Sequence, residues 1–274
     1  MKIIKNHNLS INNQLNPFVC PICRSNLLCL NKKYICRSCQ RSFFISNNIP
    51  NFFIDSESEQ KTPAIKSIKF IDRLSKVYES KFWYPLVYHL YGGIKIPNIK
   101  NTVKMIAKMM SSSGGIILDG ACGTGIYTRA IAKNVDKVYG IDISQGMLEE
   151  GINLAFKNNI YNIEFIRANV EKIPFPNNFF DGVCCSGALH LFPDTIMALK
   201  EIARVLKPNC VLAVMTFTRR RFLKYKFIYD HIKKNHGAII FDLNELNILL
   251  KRAGFKDFKP KVFGSMLIFS VKKK

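Results

Sequence analysis

The sequence predicts an α/β protein built on a doubly wound, mostly parallel sheet, preceded by a small cysteine-rich module and a helical lid. Three observations carry that prediction. Short apolar strands alternate with stretches of helical periodicity from residue 116 onwards. A glycine-rich turn follows the first of those strands directly. Five of the nine cysteines are crowded between Cys20 and Cys39. A chain of 274 residues, 48% of them hydrophobic, can bury about three quarters of the surface its unfolded form exposes, which excludes a disordered or fibrous protein.

Residues 18 to 54 alternate short apolar runs with two cysteine turns, the pattern of a β-rich unit too small to fold without a staple. DSESEQKTP (55 to 63) is polar, holds three acids and ends in proline, so it reads as a linker. Ile65, Ile68, Phe70, Ile71, Leu74, Val77 and Tyr78 recur at helical spacing, and the aromatic cluster Phe82, Trp83, Tyr84 and Tyr88 follows. Helices here can roof a site. A second helix is predicted over 98 to 110, broken by 111 to 115.

The alternating region then reads as strand 116 to 119, glycine turn 120 to 125, helix 126 to 134 and strand 137 to 142. Helix 145 to 158, strands 163 to 168 and 180 to 186, helix 194 to 206 and strand 211 to 217 come next. Helix 243 to 253, closed by Gly254, and a last strand over 266 to 271 complete it. The stretch 218 to 241 is basic and aromatic without a strand pattern, and reads as an insertion of the kind that carries binding function. The domain division is therefore a module with its linker over 1 to 60, a lid over 61 to 113, and a sheet domain over 114 to 274.

Lys and Arg number 41 against 19 Asp and Glu, a formal charge of +22. The excess is uneven: residues 114 to 215 sum to −1, while 61 to 113 sum to +8 and 216 to 274 to +11. Solvated lysines are the ordinary fate of such charge, and an anionic partner such as RNA or an acidic lipid surface is the other reading. The N-terminal stretch lacks a continuous apolar run, and nowhere do about 18 uninterrupted apolar residues occur, so a soluble, cytoplasmic protein without a transmembrane segment is expected. An organelle stroma is the alternative compartment. Oligomeric state is not legible.

In LDGACGTG (118 to 125) the strand delivers Asp119 to the sheet's carboxyl edge, and Gly120, Gly123 and Gly125 are expected to let the backbone pass close beneath a ligand. Asp142 ends the next strand, where a carboxylate can accept hydrogen bonds from both hydroxyls of a ribose. A dinucleotide site wants glycine or alanine three residues beyond Gly125, where Thr128 stands, and no Gly-Lys-Ser/Thr follows for a phosphate loop. An acid at the start of the turn repels phosphate and suits an amino acid's ammonium group. The ligand these features point to is S-adenosylmethionine, a nucleoside with a zwitterionic tail and no phosphate. The bland alternative is a tight strand-to-helix connection.

The chain here resembles the class I S-adenosylmethionine-dependent methyltransferases of the type 11 group. The likeness runs over residues 64 to 271 and rests on RLSKVYE (73 to 79), LDGACGTG, VYGIDIS (138 to 144), RANVEKIPFPNNFFDGVCCSGALHLFPD (167 to 194) and EIARVLKP (201 to 208). It implies a Rossmann-like, seven-stranded doubly wound sheet. It also implies that Asp119 with Gly120, Ala121, Gly123 and Gly125 holds the methionine part of the cofactor, that Asp142 holds the ribose, and that Ile143, Met147, Asn169, Val170 and Ser186 line the remainder under Tyr78. Asn169 stands where the family commonly has Asp, and KPNC (207 to 210) where it commonly has KPGG; Asn tolerates the left-handed backbone nearly as Gly does. The pattern ALHLFPD, EIARVLKP and LNELNILLKRAGF is similar to a plastid and cyanobacterial subgroup in which a small cysteine module also precedes the methyltransferase. Ubiquinone and menaquinone C-methyltransferases are similar at greater distance.

Cys20-x2-Cys23 and Cys36-x2-Cys39, separated by 12 residues, have the spacing of two knuckles that set four thiolates around one Zn2+. Four protein ligands leave no open position, so the metal is expected to be structural, and Cys29 inside the loop is a spare apolar residue. The tract CRSCQRSFFISNNIPNFF resembles the zinc ribbon of a small protein that activates methyltransferases, and more loosely the zinc module of 23S rRNA guanine methyltransferases.

Methyl transfer from a sulfonium needs alignment and exclusion of water more than it needs a base. His190 follows the fourth strand, at the edge where an acceptor would lie, and either takes a proton or packs and orients. His89, His231 and His236 lie in the basic flanks and read as surface. Trp83, Tyr84 and Tyr88 either line an apolar acceptor pocket or pack. Arg219, Arg220 and Arg221 form a dense positive spot. The expected activity is methylation of a small, hydrophobic or aromatic molecule. Methylation of an RNA base is the alternative, and a non-catalytic cofactor-binding module the third reading.

Overall fold

The structure, a computed structural model, describes residues 16–54, 72, 74–80, 96–219 and 238–274. The expected linker, Phe82, Trp83, Tyr84, Tyr88, His89, Arg220, Arg221, His231, His236 and most of the basic insertion lie outside the described residues.

A seven-stranded sheet forms the centre, in the order β10-β11-β9-β8-β5-β6-β7. Strands β5 (Ile116–Gly120), β6 (Lys137–Asp142), β7 (Ile163–Arg167), β8 (Phe180–Ser186) and β9 (Leu206–Phe217) pair in parallel. β10 (Phe255–Phe263) and β11 (Met266–Lys273) close one side antiparallel. Strand order reverses between β5 and β8, which opens a crevice at their carboxyl ends.

Alternate residues of the strands feed two apolar layers, as a period of two requires. Leu118, Ile141, Val183, Cys185, Leu212 and Val214 face one layer, with α5 (Thr195–Val205) and α6 (Leu243–Arg252) packed on it. Ile117, Val138, Cys184, Ala213 and Met215 face the other, covered by α2 (Ile99–Ser111) and α3 (Ile126–Ala132). α4 (Gln145–Lys157) packs against β6 and β7. Each long helix starts on a polar cap that supplies an acceptor to an otherwise orphaned amide: Asn98 to Asn101, Ser144 to Met147, Asp194 to Met197, and Asp242 to Asn244.

The strand the sequence pattern does not reveal is β10. Its run KDFKPKVF alternates poorly because it is an edge strand: Lys256, Lys259, Pro260 and Lys261 are exposed, the composition that blunts an open sheet edge. β9 also starts earlier than expected and runs through KPNC, where Asn209 takes the left-handed backbone at φ 61°.

The cysteine module is a four-stranded sheet, β1 (Leu27–Leu30), β2 (Lys33–Cys36), β3 (Ser42–Ser46) and β4 (Ile49–Pro50), in that order. It shares a core with the sheet domain. Phe18 meets Phe175 at 5.1 Å, Phe52 at 5.0 Å and Tyr34 at 5.4 Å between ring centroids, and Tyr139 meets Phe175 at 4.8 Å. The Arg24 guanidinium donates to the Ile173 carbonyl at 3.0 Å and pairs with Glu201 at 2.7 Å. Asn51 then bridges in parallel to Arg167, so the module's last residues extend the large sheet beyond β7.

Candidate cofactor site and cysteine cluster

The crevice is built from the glycine turn upward. Gly123 and Gly125 have positive φ, 55° and 82°, and a Cβ on Gly125 would sit 3.0 Å from the Phe165 ring. A third left-handed position lies directly after Gly120. Gly120 ends β5 in ordinary strand backbone, where an added Cβ would meet only normal contacts, the nearest at 3.6 Å. Ala121, at φ 61°, takes the glycine-like conformation instead, a strain of roughly 1–2 kcal/mol.

Two carboxylates brace this turn. Asp119 is 1% exposed; its Oδ2 accepts from the Thr128 hydroxyl at 2.6 Å and its Oδ1 from the Cys184 thiol at 3.0 Å. It ties β5 to α3 and β8, and burial pushes its carboxyl up to about 6 against the lowering effect of those two donors. Asp142 ends β6, with Oδ2 accepting from the Gly123 amide at 2.8 Å and Oδ1 from the Ser144 amide at 2.9 Å. Burial raises this carboxyl too, and the backbone donors offset part of the rise. Each oxygen keeps a second lone pair for a ligand.

The short helix α1 (Ser75–Tyr78) is flanked by two residues that the sequence reading missed, one tied to the turn and one to the start of α4. Glu79 accepts from the Thr124 hydroxyl and pairs with Arg129 at 2.5 Å, while Arg129 also donates to the Thr124 carbonyl. Asp72 Oδ1 accepts from the Ser144 hydroxyl and from the Gly146 amide at 2.9 Å. Gly146 permits that approach, since a Cβ there would lie 3.1 Å from the Asp72 carbonyl oxygen. The signal was available: Asp72 and Glu79 are the two acids of the otherwise basic stretch 61 to 113. Tyr78 is half-buried beside them, and loss of solvent with the charges of Asp142 and Glu79 pushes its phenol up to about 12.

Of the other expected residues, Met147 and Val170 are buried at the same edge, and Val170 lies against Gly120. The Ile143 carbonyl accepts from Arg167 Nε at 2.9 Å. Asn169 Oδ1 already accepts from the Glu171 amide at 2.9 Å, so its oxygen caps a short 3-10 turn, Val170–Lys172. The Ser186 hydroxyl is buried at the end of β8 with no hydrogen-bond partner among the described residues. His190 is 5% exposed, with Nδ1 3.4 Å from the Thr216 hydroxyl and its ring edge-on to Phe217; burial holds its pKa down at about 4. Of the expected positive spot only Arg219 is described; it donates to the Ile240 carbonyl and pairs with Glu245 at 2.9 Å.

In the module, the sulfurs of Cys20, Cys23, Cys36 and Cys39 all lie within 4.8 Å of one another. Cys23 and Cys36 stand 3.3 Å apart, Cys20 and Cys39 3.7 Å. Zn–S bonds of about 2.3 Å in a tetrahedron put sulfurs about 3.8 Å apart, so the donor set and spacing fit a zinc ion. Cys29 is exposed and is not part of this group.

Comparison with known proteins agrees with this geometry. The family described as "Methyltransferase domain" matches residues 118–214, which hold the turn, both acids and the strands around them. The demethylmenaquinone methyltransferase of Staphylococcus carnosus is 31% identical over 186 residues, covering 58% of this chain and 76% of that protein. The chain belongs to the S-adenosylmethionine-dependent methyltransferase family. An uncharacterized chloroplastic methyltransferase of Arabidopsis thaliana is 25% identical over 280 residues, 93% of this chain and 78% of that protein. In fold, the methyltransferase matches phosphoethanolamine N-methyltransferase 2 of Haemonchus contortus with a TM-score of 0.58 at 16% identity, over 72% of this chain and 59% of that one. The chain spans about half the length of several other curated relatives, 55% and 53% in two cases. Among the described residues no helix is long and apolar enough to cross a membrane.

Proposed function

We propose that the chain transfers a methyl group from S-adenosylmethionine to a small, hydrophobic or aromatic acceptor. The observation that carries the cofactor half is Asp142, held at the end of β6 by the amides of Gly123 and Ser144 with lone pairs left for two ribose hydroxyls. Gly123, Gly125 and Ala121 would flank the methionine part, Ile143, Asn169 and Val170 the base, and Tyr78 would lie above. The acceptor half is supported by the curated relatives, whose names specify a quinone precursor, demethylmenaquinone.

When bound, the cofactor supplies an electrophilic methyl on a sulfonium. The chain's own task is to align and to keep water out. Glu79 and Asp72 hold α1 over the crevice, which does both. His190 is a weak base, since burial keeps it neutral with a pKa of about 4, so its role is to fix the wall at the end of β8 with Thr216 and Phe217. The zinc we assign to Cys20, Cys23, Cys36 and Cys39 is structural. Free and zinc-bound thiols are favoured in a reducing compartment, and both the cytoplasm and a plastid stroma meet that condition.

The test offers labelled S-adenosylmethionine with lipid, metabolite and RNA extracts separately. Label in the lipid or metabolite fraction is expected, and label confined to RNA overturns the acceptor class. Asp142→Ala should abolish cofactor binding; retention of wild-type affinity overturns the ribose assignment.

A further inference from the structure

We propose that Arg167 couples the cysteine module to the cofactor crevice, so that metal in the module and S-adenosyl compound in the crevice raise each other's affinity. The proposal rests on the cofactor and metal readings above. Arg167 is the last residue of β7 and sits in register opposite Asp142 on β6. Its Nε donates to the carbonyl of Ile143, the residue directly after Asp142, at 2.9 Å. On its other side the guanidinium carbon lies over the Phe53 ring, 4.9 Å from the centroid. Its carbonyl accepts from the Phe52 amide at 2.8 Å. One residue thus ties the backbone on the ribose side to the module by main chain and side chain together.

The module end of that tie depends on the cysteines. Phe52 is wedged among Phe18, Tyr34 and Phe43, at 5.0, 5.2 and 5.4 Å between centroids, and these rings share a core with Cys20 and Cys36. A unit this small holds such a core only when stapled. Without metal, Phe53 loses its station and Arg167 loses the face that keeps its side chain folded over the sheet edge. The Ile143 carbonyl then loses its donor, and the segment between Asp142 and Ser144 loosens. Arg167 is therefore a positioning residue: it acts through Asp142 and Ile143 and touches neither reacting atom. A module that merely adds stability would leave cofactor affinity unchanged at temperatures where the chain is folded.

The test uses the full chain and S-adenosylhomocysteine as the probe. Phe53→Ala, with its zinc content checked at one per chain, is expected to bind the probe about five- to tenfold more weakly, and Phe53→Tyr to bind like wild type. By reciprocity saturating probe should reduce zinc loss at equilibrium to a competing chromogenic chelator in wild type, by the factor by which zinc strengthens probe binding, and have no effect in Phe53→Ala. The second measurement needs no variant that folds poorly. Zinc loss from wild type that ignores saturating probe, or wild-type affinity in zinc-loaded Phe53→Ala, overturns the coupling while leaving the cofactor reading intact. Failure of wild type itself to bind the probe, or to retain zinc, refutes the underlying reading and the coupling with it.

Discussion

The lid clasp gives the sharpest prediction. Glu79 and Arg129 keep 20% and 10% of their side-chain surface exposed, and pair at 2.5 Å. Exposed pairs contribute about 0–1 kcal/mol, whereas breaking a buried pair costs about 3–5 kcal/mol. This pair lies nearer the buried limit, but Arg129 retains the Thr124 carbonyl when Glu79 is removed, so Glu79→Ala should cost about 2 kcal/mol. The loss falls on docking of α1, because Glu79 belongs to the lid and Arg129 to α3. Two kcal/mol is about thirtyfold in a docking equilibrium, and apparent affinity falls with the docked fraction, so the dissociation constant for S-adenosylhomocysteine should rise by up to about thirtyfold. Calorimetric titration of wild type, Glu79→Ala, Arg129→Ala and the double variant yields the coupling energy directly. A value of about 1–2 kcal/mol is expected. A coupling below about 0.5 kcal/mol, or unchanged affinity accompanied by a lowered unfolding midpoint, would show that the pair stabilises the fold and does not close the crevice.

Three further outcomes follow from the buried groups. Asp119 has its pKa raised to about 6, so the native state binds more protons than the unfolded chain between about pH 4 and 6, and stability falls as pH rises through that window; urea midpoints of Asp119→Asn should lack this fall, about 3 kcal/mol at most. His190 runs the other way: its pKa is lowered to about 4, so the stability of the neutral form is present above about pH 6.5 and lost as pH falls towards 4. His190→Gln should weaken that acid loss, and methyl transfer by wild type should show no titration limb near 6.5; such a limb, absent in His190→Gln, would restore the histidine as a base. Metal analysis should find one zinc per chain in wild type and in Cys29→Ser, and none in Cys36→Ser, whose melting temperature should drop by several degrees; full zinc in Cys36→Ser would exclude a four-cysteine site.

The sheet was legible in the sequence because its inner strands are apolar on both faces and its helices carry one apolar stripe. β6 and β8 match their expected spans to the residue. β10 was not legible because an edge strand exposes one face and one side, and its lysines and proline read as loop. Within the site, Asp142 and the glycine turn stood out because their spacing along the chain reflects adjacent strands. Asp72 and Glu79 did not, since their partners Ser144 and Thr124 lie 45 residues or more away in sequence, and being the two acids of a basic stretch marks them without saying what they meet. The left-handed backbone of Ala121 was not legible, because alanine carries no local signal for a positive φ.

The charge distribution makes sense at the same local scale. The chain carries +22, yet Asp72, Glu79, Asp119 and Asp142 all converge on one crevice, where Asp142 feels the charges of Asp72 and Asp119 and Tyr78 those of Asp142 and Glu79. Two cations beside it among the described residues, Arg129 and Arg167, are each committed to a carbonyl or carboxylate. Among the described residues the crevice therefore gathers acids, whereas the chain as a whole is basic. Acids drawn inward from a basic lid leave Lys100, Lys104 and Lys108 exposed on α2, so the surface is more positive, and the crevice more negative, than the total implies. On the proposed cofactor reading, such a gathering of acids would favour a cationic sulfonium over its neutral thioether product, which would give release after transfer a physical basis independent of any catalytic base.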